Sequence, residues 1–407
     1  MNNYEYNNLS IVIPFRNEGE FISKLLNAIN KQTFLPYEVI IVDSSTNEEV
    51  KGFVEEYGGI VPIVYHREKK AYPGKARNIG VSLAKGNCIG FLDSKTIPQE
   101  DWLERFLHLI NVYHADVVFG VTKFAAVTPF QKILRAATYG KIGHHTLPGS
   151  LIYKKVYINS GEFLEHVRMG EDIEWRERLI MNGVVIHKPV DPVIFYTGLP
   201  DNLNSTFIKY LISAYHAARL NILRNVKDAY LSLFLILSAI VLPKWNHLVG
   251  GWDANPLFIP HVTKVYLIAL VFLFLSYQLA HYLFLRNMSK TMYSKTLQLI
   301  LLIFISLAVF NWNAVIAGWM EDAVLYVPHI TKMYVGVAVI ASMIYRGIIL
   351  PLNRNVEASY IFPFRWIKVG LLGLFIDLVK APGYILGAIL SFFRIFHPKV
   401  NNNKLNC

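Results

Sequence analysis

The stretch that decides the reading is GNCIGFLDSKTIP, residues 86–98. Residues 88–92 form an apolar run bounded by turn residues, a pattern that fits a buried parallel strand. Asp93 stands at its end, Ser94, Lys95 and Thr96 follow, and Pro98 closes the segment. Ligands of open α/β sheets sit just outside the carboxyl ends of such strands, so Asp93 is expected at the lip of a crevice. The same layout comes earlier, where residues 38–42 (EVIIV) run straight into Asp43, Ser44 and Ser45. Two strand-end aspartates with helical sequence between them predict one nucleotide site built from neighbouring strands.

Working outward, residues 9–14 (LSIVIP) read as a first strand ending in Phe15, Arg16, Asn17 and Glu18. Phe21, Leu25, Leu26 and Ile29 then recur at helical spacing. A strand over residues 60–66 follows, and the loop Pro73-Gly74-Lys75-Ala76-Arg77-Asn78 leads into a helix over 79–84. This alternation predicts a doubly wound sheet with parallel strands. Beyond Asp93 the pattern gives a helix over 101–110, a strand over 115–120, a flexible loop over 141–149 and a strand over 150–153. His144 and His145 fall in that loop without Cys or carboxylate companions, a poor start for a zinc site. In GEDIEWRER, residues 170–178, Glu171 and Asp172 open a helix, where free N–H groups and the dipole stabilise negative charge. Asp172 there suits a general base. Arg176 and Arg178 on the same helix are candidates for a phosphate or a lipid headgroup.

Taken in order, LSIVIPFRNE, EVIIVDSS, PGKARNIG, GNCIGFLDSKT and GEDIEWRER resemble the family 2 glycosyltransferases, whose fold is called GT-A. The resemblance covers about residues 8–200 and implies a Rossmann-like α/β domain that binds a nucleotide-sugar. It implies that Pro14 and Glu18 lie near the base and ribose, and that Asp43 holds the base. Asp93 would begin the DxD motif that binds a divalent metal, Mg²⁺ or Mn²⁺, on the diphosphate. The pair Glu171-Asp172 would supply the base that deprotonates an acceptor hydroxyl. Arg16, Ser44, Asn78 and Ser94 complete the donor-binding set. A departing diphosphate needs a hard cation or fixed positive charge, and Lys75 and Arg77 can provide some of it. One position departs from the pattern: Lys95 stands where the second DxD carboxylate belongs. Either Asp93 holds the metal alone, phosphates and water completing its shell, or Lys95 itself contacts the phosphates.

Composition places the rest. The chain has 407 residues, 53% of them hydrophobic, and a formal net charge of +11. Apolar runs are short before about residue 200 and long after about 228, which predicts a soluble domain joined to an α-helical transmembrane domain. Lys and Arg gather beside the apolar segments, as anionic lipid and positive-inside topology require, so the charge is assigned to the membrane and not to nucleic acid. The two cysteines provide no disulfide framework, and the polar start MNNYEYNNLS is no signal peptide.

The expected domains are 1–200, the transferase; 201–227, an amphipathic helix lying on the bilayer; 228–351, four spans; and 352–407, interfacial or re-entrant helices and a tail. Asp377, Lys380, Pro382 and Gly383 interrupt the apolar residues 365–396 and favour a helix pair there over a fifth span. Trp245, Trp252, His261 and Tyr266 recur as Trp312, Trp319, His329 and Tyr334, so the spans form two equivalent hairpins. These anchor in the headgroup zone, or they form a lipid-acceptor cleft or a contact between copies of the chain. The expectation is an inverting transferase integral to a prokaryotic cell membrane. It would move a sugar at the cytoplasmic face to a lipid-linked or polysaccharide acceptor. A polyprenyl-phosphate acceptor and a degenerate scaffold in polysaccharide assembly are the alternatives.

Overall fold

The computed structural model describes residues 8–47, 49–220, 339–340 and 342–396. The three predicted spans between 228 and 317, the first part of the fourth and the tryptophan repeat lie outside the described residues.

The first strands form as their apolar runs dictate. β1 (Leu9–Phe15), β2 (Glu38–Asp43), β3 (Ile63–Arg67) and β4 (Cys88–Phe91) are parallel, in the order β3-β2-β1-β4. Side chains of a strand alternate between faces, and the two cores follow that alternation. Ile11, Ile13 and Phe15 of β1 pack with Ile22, Leu25 and Ile29 of α1 (Gly19–Asn30) and with Trp102 and Phe106 of α4 (Trp102–Tyr113). Val12 faces the other way, with Ile40 and Val42, onto Ala76 and Val81 of α3 (Pro73–Leu83) and Trp175 and Leu179 of α7 (Glu171–Met181). Pro73 opens α3, where its missing N–H loses nothing.

The expectation of an all-parallel sheet is corrected beyond β4. β7 (His144–Tyr153) lies antiparallel to both β4 and β6 (Val117–Phe124), giving a mixed sheet. An apolar run such as SLIY reads the same in either direction, and the route of the connection decides. The predicted loop over 141–149 is largely this strand. His144 and His145 point to opposite faces, and their Nε2 atoms meet the carbonyls of Tyr139 and Pro189, each at 2.8 Å. They share no ligand position.

The C-terminal residues 342–383 belong to the same compact unit as the described residues up to 220. The amphipathic segment is α8 (Leu203–Arg219), and its buried Tyr210 lies among Leu134 of α5 (Pro129–Thr138) and Leu372, Ile376 and Val379. That part of the apolar face meets protein. The expected helix pair is also corrected, because Arg365–Phe396 is one helix that runs through Pro382. Its charged break is absorbed locally: Asp377 pairs with Arg346 at 2.6 Å and with Lys380 at 3.6 Å. Over Arg365–Ala388 this helix is long and apolar enough to cross a membrane.

Candidate functional site

The carboxyl ends of β1, β2 and β4 share one edge of the sheet. Asp43 and Asp93 do not cap adjacent strands, however, because β1 lies between β2 and β4. The β1 loop, Arg16 to Glu18, therefore occupies the ground between the two aspartates. Asn17 takes φ 53° there; its N–H donates to Ser45 Oγ at 2.7 Å and its Oδ1 accepts from Thr46 N–H at 2.9 Å.

Asp43 is fully buried and engaged on both oxygens. Oδ1 accepts from the Ser45 N–H at 2.8 Å; Oδ2 accepts from Tyr65 Oη at 2.8 Å and from Arg67 Nη1 at 2.6 Å. Arg67 also donates to the carbonyls of Asn47 and Ser45, each at 2.7 Å. Burial, reinforced by the Asp43 hydrogen bond and charge, pushes the Tyr65 phenol up to about 12. Ser44 is likewise turned inward, its Oγ donating to the Phe15 carbonyl at 3.1 Å. Asp43 and Ser44 are thus both engaged within the protein, Asp43 in a closed clamp with Tyr65 and Arg67. Sequence reading stopped the third strand one residue short of Arg67. Register pairs Arg67 with Asp43, and the i, i+2 spacing of Tyr65 and Arg67 on a strand was the available signal.

Asp93 is placed differently. Its side chain is 35% exposed; Oδ1 accepts from Arg77 Nη2 at 2.8 Å, and among the described residues no donor reaches Oδ2. Arg77 is buried and reaches across to Glu171 Oε1 at 2.6 Å through Nη1. One guanidinium thus joins the β4 end to the first turn of α7. Arg77 Nε and Glu171 Oε2 are buried without a hydrogen bond among the described residues. Burial works against the Arg77 charge, but Asp93, Glu171 and Asp172 outweigh it and its pKa is raised. Glu171 and Asp172 are both held above the ordinary carboxylate range. Burial is the main cause; Arg77 opposes it, and the neighbouring carboxylates add to it. Glu171 and Asp172, adjacent in the first turn of α7, therefore resist ionisation despite the guanidinium between them and Asp93.

Lys95 does not project freely toward a ligand. Its ammonium pairs with Glu18 Oε1 at 2.9 Å, and Ser94 Oγ donates to the other oxygen of Glu18. Glu18, Ser94 and Lys95 are together, as expected, but satisfied by one another. Pro14 is partly buried on β1 and Arg16 is exposed at its end. Lys75 is drawn to Glu68 at 2.7 Å.

Two expectations are corrected by geometry. Asn78 is buried and fully used as a brace: Oδ1 accepts from Tyr157 Oη at 2.6 Å and from Phe163 N–H at 3.0 Å, and Nδ2 donates to the Phe163 carbonyl at 3.0 Å. Arg178 holds the 160–162 turn, donating to the carbonyls of Ser160 at 2.9 Å and Glu162 at 2.8 Å, and pairs with Glu174. Among the described residues Arg176 makes one long contact, 3.5 Å from Nη1 to the His145 carbonyl.

A divalent metal finds a partial fit. Asp93 Oδ2 is open and accessible, but no group of three His, Cys, Asp or Glu ligands occurs among the described residues. The site suits a cation held by one carboxylate and completed by ligand phosphates and water, as magnesium tolerates.

Residues 10–164 match the family model for glycosyl transferase family 2, so this part of the chain carries a domain of that kind. Glycosyltransferase AglE of Haloferax volcanii is 28% identical over 185 residues, 42% of this chain and 60% of its own length. Glycosyltransferase GlyG of Streptococcus pneumoniae is 32% identical over 116 residues, 28% of this chain and 38% of its own. The poly(ribitol-phosphate) beta-N-acetylglucosaminyltransferase TarS of Staphylococcus aureus is 24% identical over 204 residues, 46% of this chain and 35% of its own. A crystal structure of S. aureus TarS aligns over 57% of this chain and 43% of that chain, with a TM-score of 0.38. The chain spans less than two thirds of the length of each of these relatives.

Proposed function

We propose that this chain is a membrane-bound inverting glycosyltransferase. It takes a sugar from a nucleotide-diphosphate sugar and gives it to a lipid-linked or polysaccharide acceptor at the cytoplasmic face. The observation that carries the reading is the junction Asp93–Arg77–Glu171, with Asp172 beside it, at the carboxyl edge of the sheet. A donor lying along this edge has its diphosphate by Asp93 and its anomeric carbon toward α7. Asp172 takes the proton of the acceptor hydroxyl; that oxygen bonds to the anomeric carbon as the nucleoside diphosphate departs with the electron pair of the broken bond. Mg²⁺ or Mn²⁺, when bound, neutralises the diphosphate, and Asp93 is the residue that would hold it. Asp43 acts indirectly, by fixing Tyr65 and Arg67 under the base. The leucines 371, 378, 386 and 390 line one exposed side of the long C-terminal helix. That stripe supports a membrane contact, in keeping with the spans read over 228–351 and with an acceptor that stays at the membrane.

The test is a donor screen on the purified full chain, with and without chelator, repeated on D172N. Transfer to a hydroxyl acceptor is expected to fall by about 10²–10⁴ in D172N, with the melting temperature little changed. If D172N loses nothing, Asp172 is not the base; if it spares only a phosphate acceptor, which needs no base, the enzyme is a polyprenyl-phosphate transferase. Because Asp172 must be ionised and its pKa is raised, wild-type turnover should fall on acidification earlier than an ordinary carboxylate would make it. The same shift acts oppositely on folding. A carboxyl that binds protons more tightly when folded stabilises the protein at low pH and loses that contribution as pH rises through the raised value. Turnover should therefore fall on mild acidification before the fold is lost.

A further inference from the structure

Lys209 belongs to none of the motifs above. It projects from α8 with its ammonium 5.3 Å from the ring centroid of Tyr196, and among the described residues it meets that ring and no carboxylate. Tyr196 lies on β9 (Ile194–Tyr196), paired in register with Thr96 of β5 (Thr96–Pro98). Lys209 is thereby brought to the segment that carries Asp93 and Lys95. Tyr196 feels the charges of Asp93 and Glu18, and Lys209 that of Lys95. Burial, then Lys95, pushes Lys209 down to about 8. The Lys209 ammonium is half-buried, and Glu18, the carboxylate on this edge that binds a lysine, is already taken by Lys95. Charge in such a position calls for an anion.

We infer that Lys209 is a ligand of the donor's diphosphate, supplying positive charge that a second DxD carboxylate would otherwise recruit as a metal ion. This rests on the donor site proposed above and adds to it a residue from the helix that leaves the transferase domain. The position of Lys209 then depends on the packing of α8, whose Tyr210 is buried among Leu134 of α5 and Leu372, Ile376 and Val379 of the C-terminal helix.

Inorganic pyrophosphate is the probe, because it carries neither base nor sugar. It is titrated calorimetrically into the full chain in the presence of chelator. Wild type is expected to bind, K209Q to bind about tenfold more weakly, and K209R to stay close to wild type. Equal affinity of K209Q and wild type overturns the inference. A second measurement avoids substitution: mild acetylation of wild type, read by peptide mass spectrometry. Pyrophosphate should protect Lys209 several-fold and leave the exposed Lys51 unprotected. Unchanged labelling of Lys209 overturns the inference, and so does protection by vesicles containing a polyprenyl phosphate but not by pyrophosphate, which would assign Lys209 to the acceptor. The two readings fail separately. Transfer with an unaltered K209Q removes only this one, whereas absence of transfer from any nucleotide-sugar removes the function and leaves the pyrophosphate result standing.

Discussion

Asp43 and Asp93 look alike in the sequence, each a carboxylate at the end of an apolar strand followed by serine. In the fold they do opposite things. Asp43 is sealed under Tyr65 and Arg67, both oxygens engaged. Asp93 gives one oxygen to Arg77 and keeps the other open at the surface of the crevice. The difference comes from neighbours: β3 lies beside β2 and sends two side chains over Asp43, whereas β7 flanks β4 and runs the other way. A strand-end aspartate is closed off where an adjacent strand supplies donors and keeps an open oxygen where it does not.

The sharpest way to break the comparison is Arg77→Met. Arg77 and Glu171 are each 5% exposed on their side chains, and the substitution strands three carboxylates around an apolar tip. Removing one partner of a buried pair destabilises by about 3–5 kcal/mol. Unfolding of the full chain in detergent, followed by denaturant, should register a loss of that size. A loss within the range of an ordinary surface substitution would mean that the junction between β4 and α7 is not formed, and the case for Asp172 near Asp93 would go with it.

Next in size is a contrast between Asp43→Asn and Asp93→Asn. The first leaves Arg67 and Tyr65 facing a neutral amide in a sealed pocket, so the melting temperature should drop by several degrees, while turnover with saturating donor changes less. The second removes the open, solvent-facing carboxylate. There the melting temperature should hold and turnover should fall on the order of 10²-fold, the scale for losing one electrostatic contact to a reacting group. Reversed outcomes, with Asp43 decisive for donor and Asp93 decisive for stability, would show that the clamp opens and that Asp93 is the brace.

How much of this was legible follows from what each residue's role depends on. The strands at 9–15, 38–43 and 88–91, and the inward face of α1, were set by apolar runs and spacing within one element. The collection of Glu18, Ser94, Lys95, Arg77 and Glu171 at one edge followed from the order of motifs. The occupancy of Asp43 did not, because it depends on Tyr65 and Arg67 arriving from a strand whose end was read one residue early. Asn78 and Arg178 carry residue types suited to phosphate, yet backbone carbonyls or N–H groups of the 160–163 turn claim them first. Lys209 was hidden for a related reason. On a helix read as lying on lipid, a lysine off the apolar face looks solvated, and only the tertiary fold sets it beside Tyr196.

The smallest effect belongs to Lys75, and it tests the comparison from outside the cluster. Lys75 and Glu68 pair at 2.7 Å with side chains 39% and 29% exposed. The pair draws Lys75 above its ordinary value and Glu68 below, chiefly through their mutual hydrogen bond. An exposed pair of this kind adds little to stability, so Lys75→Ala should leave the melting temperature within error. It should leave the donor KM unchanged as well, because Glu68 holds the ammonium away from the crevice, just as Glu18 holds Lys95. A KM raised about tenfold with an unmoved melting temperature would say that Lys75 abandons Glu68 once a diphosphate is present. The division between satisfied and open groups would then describe the empty crevice alone, and Lys95 would be expected to leave Glu18 by the same exchange.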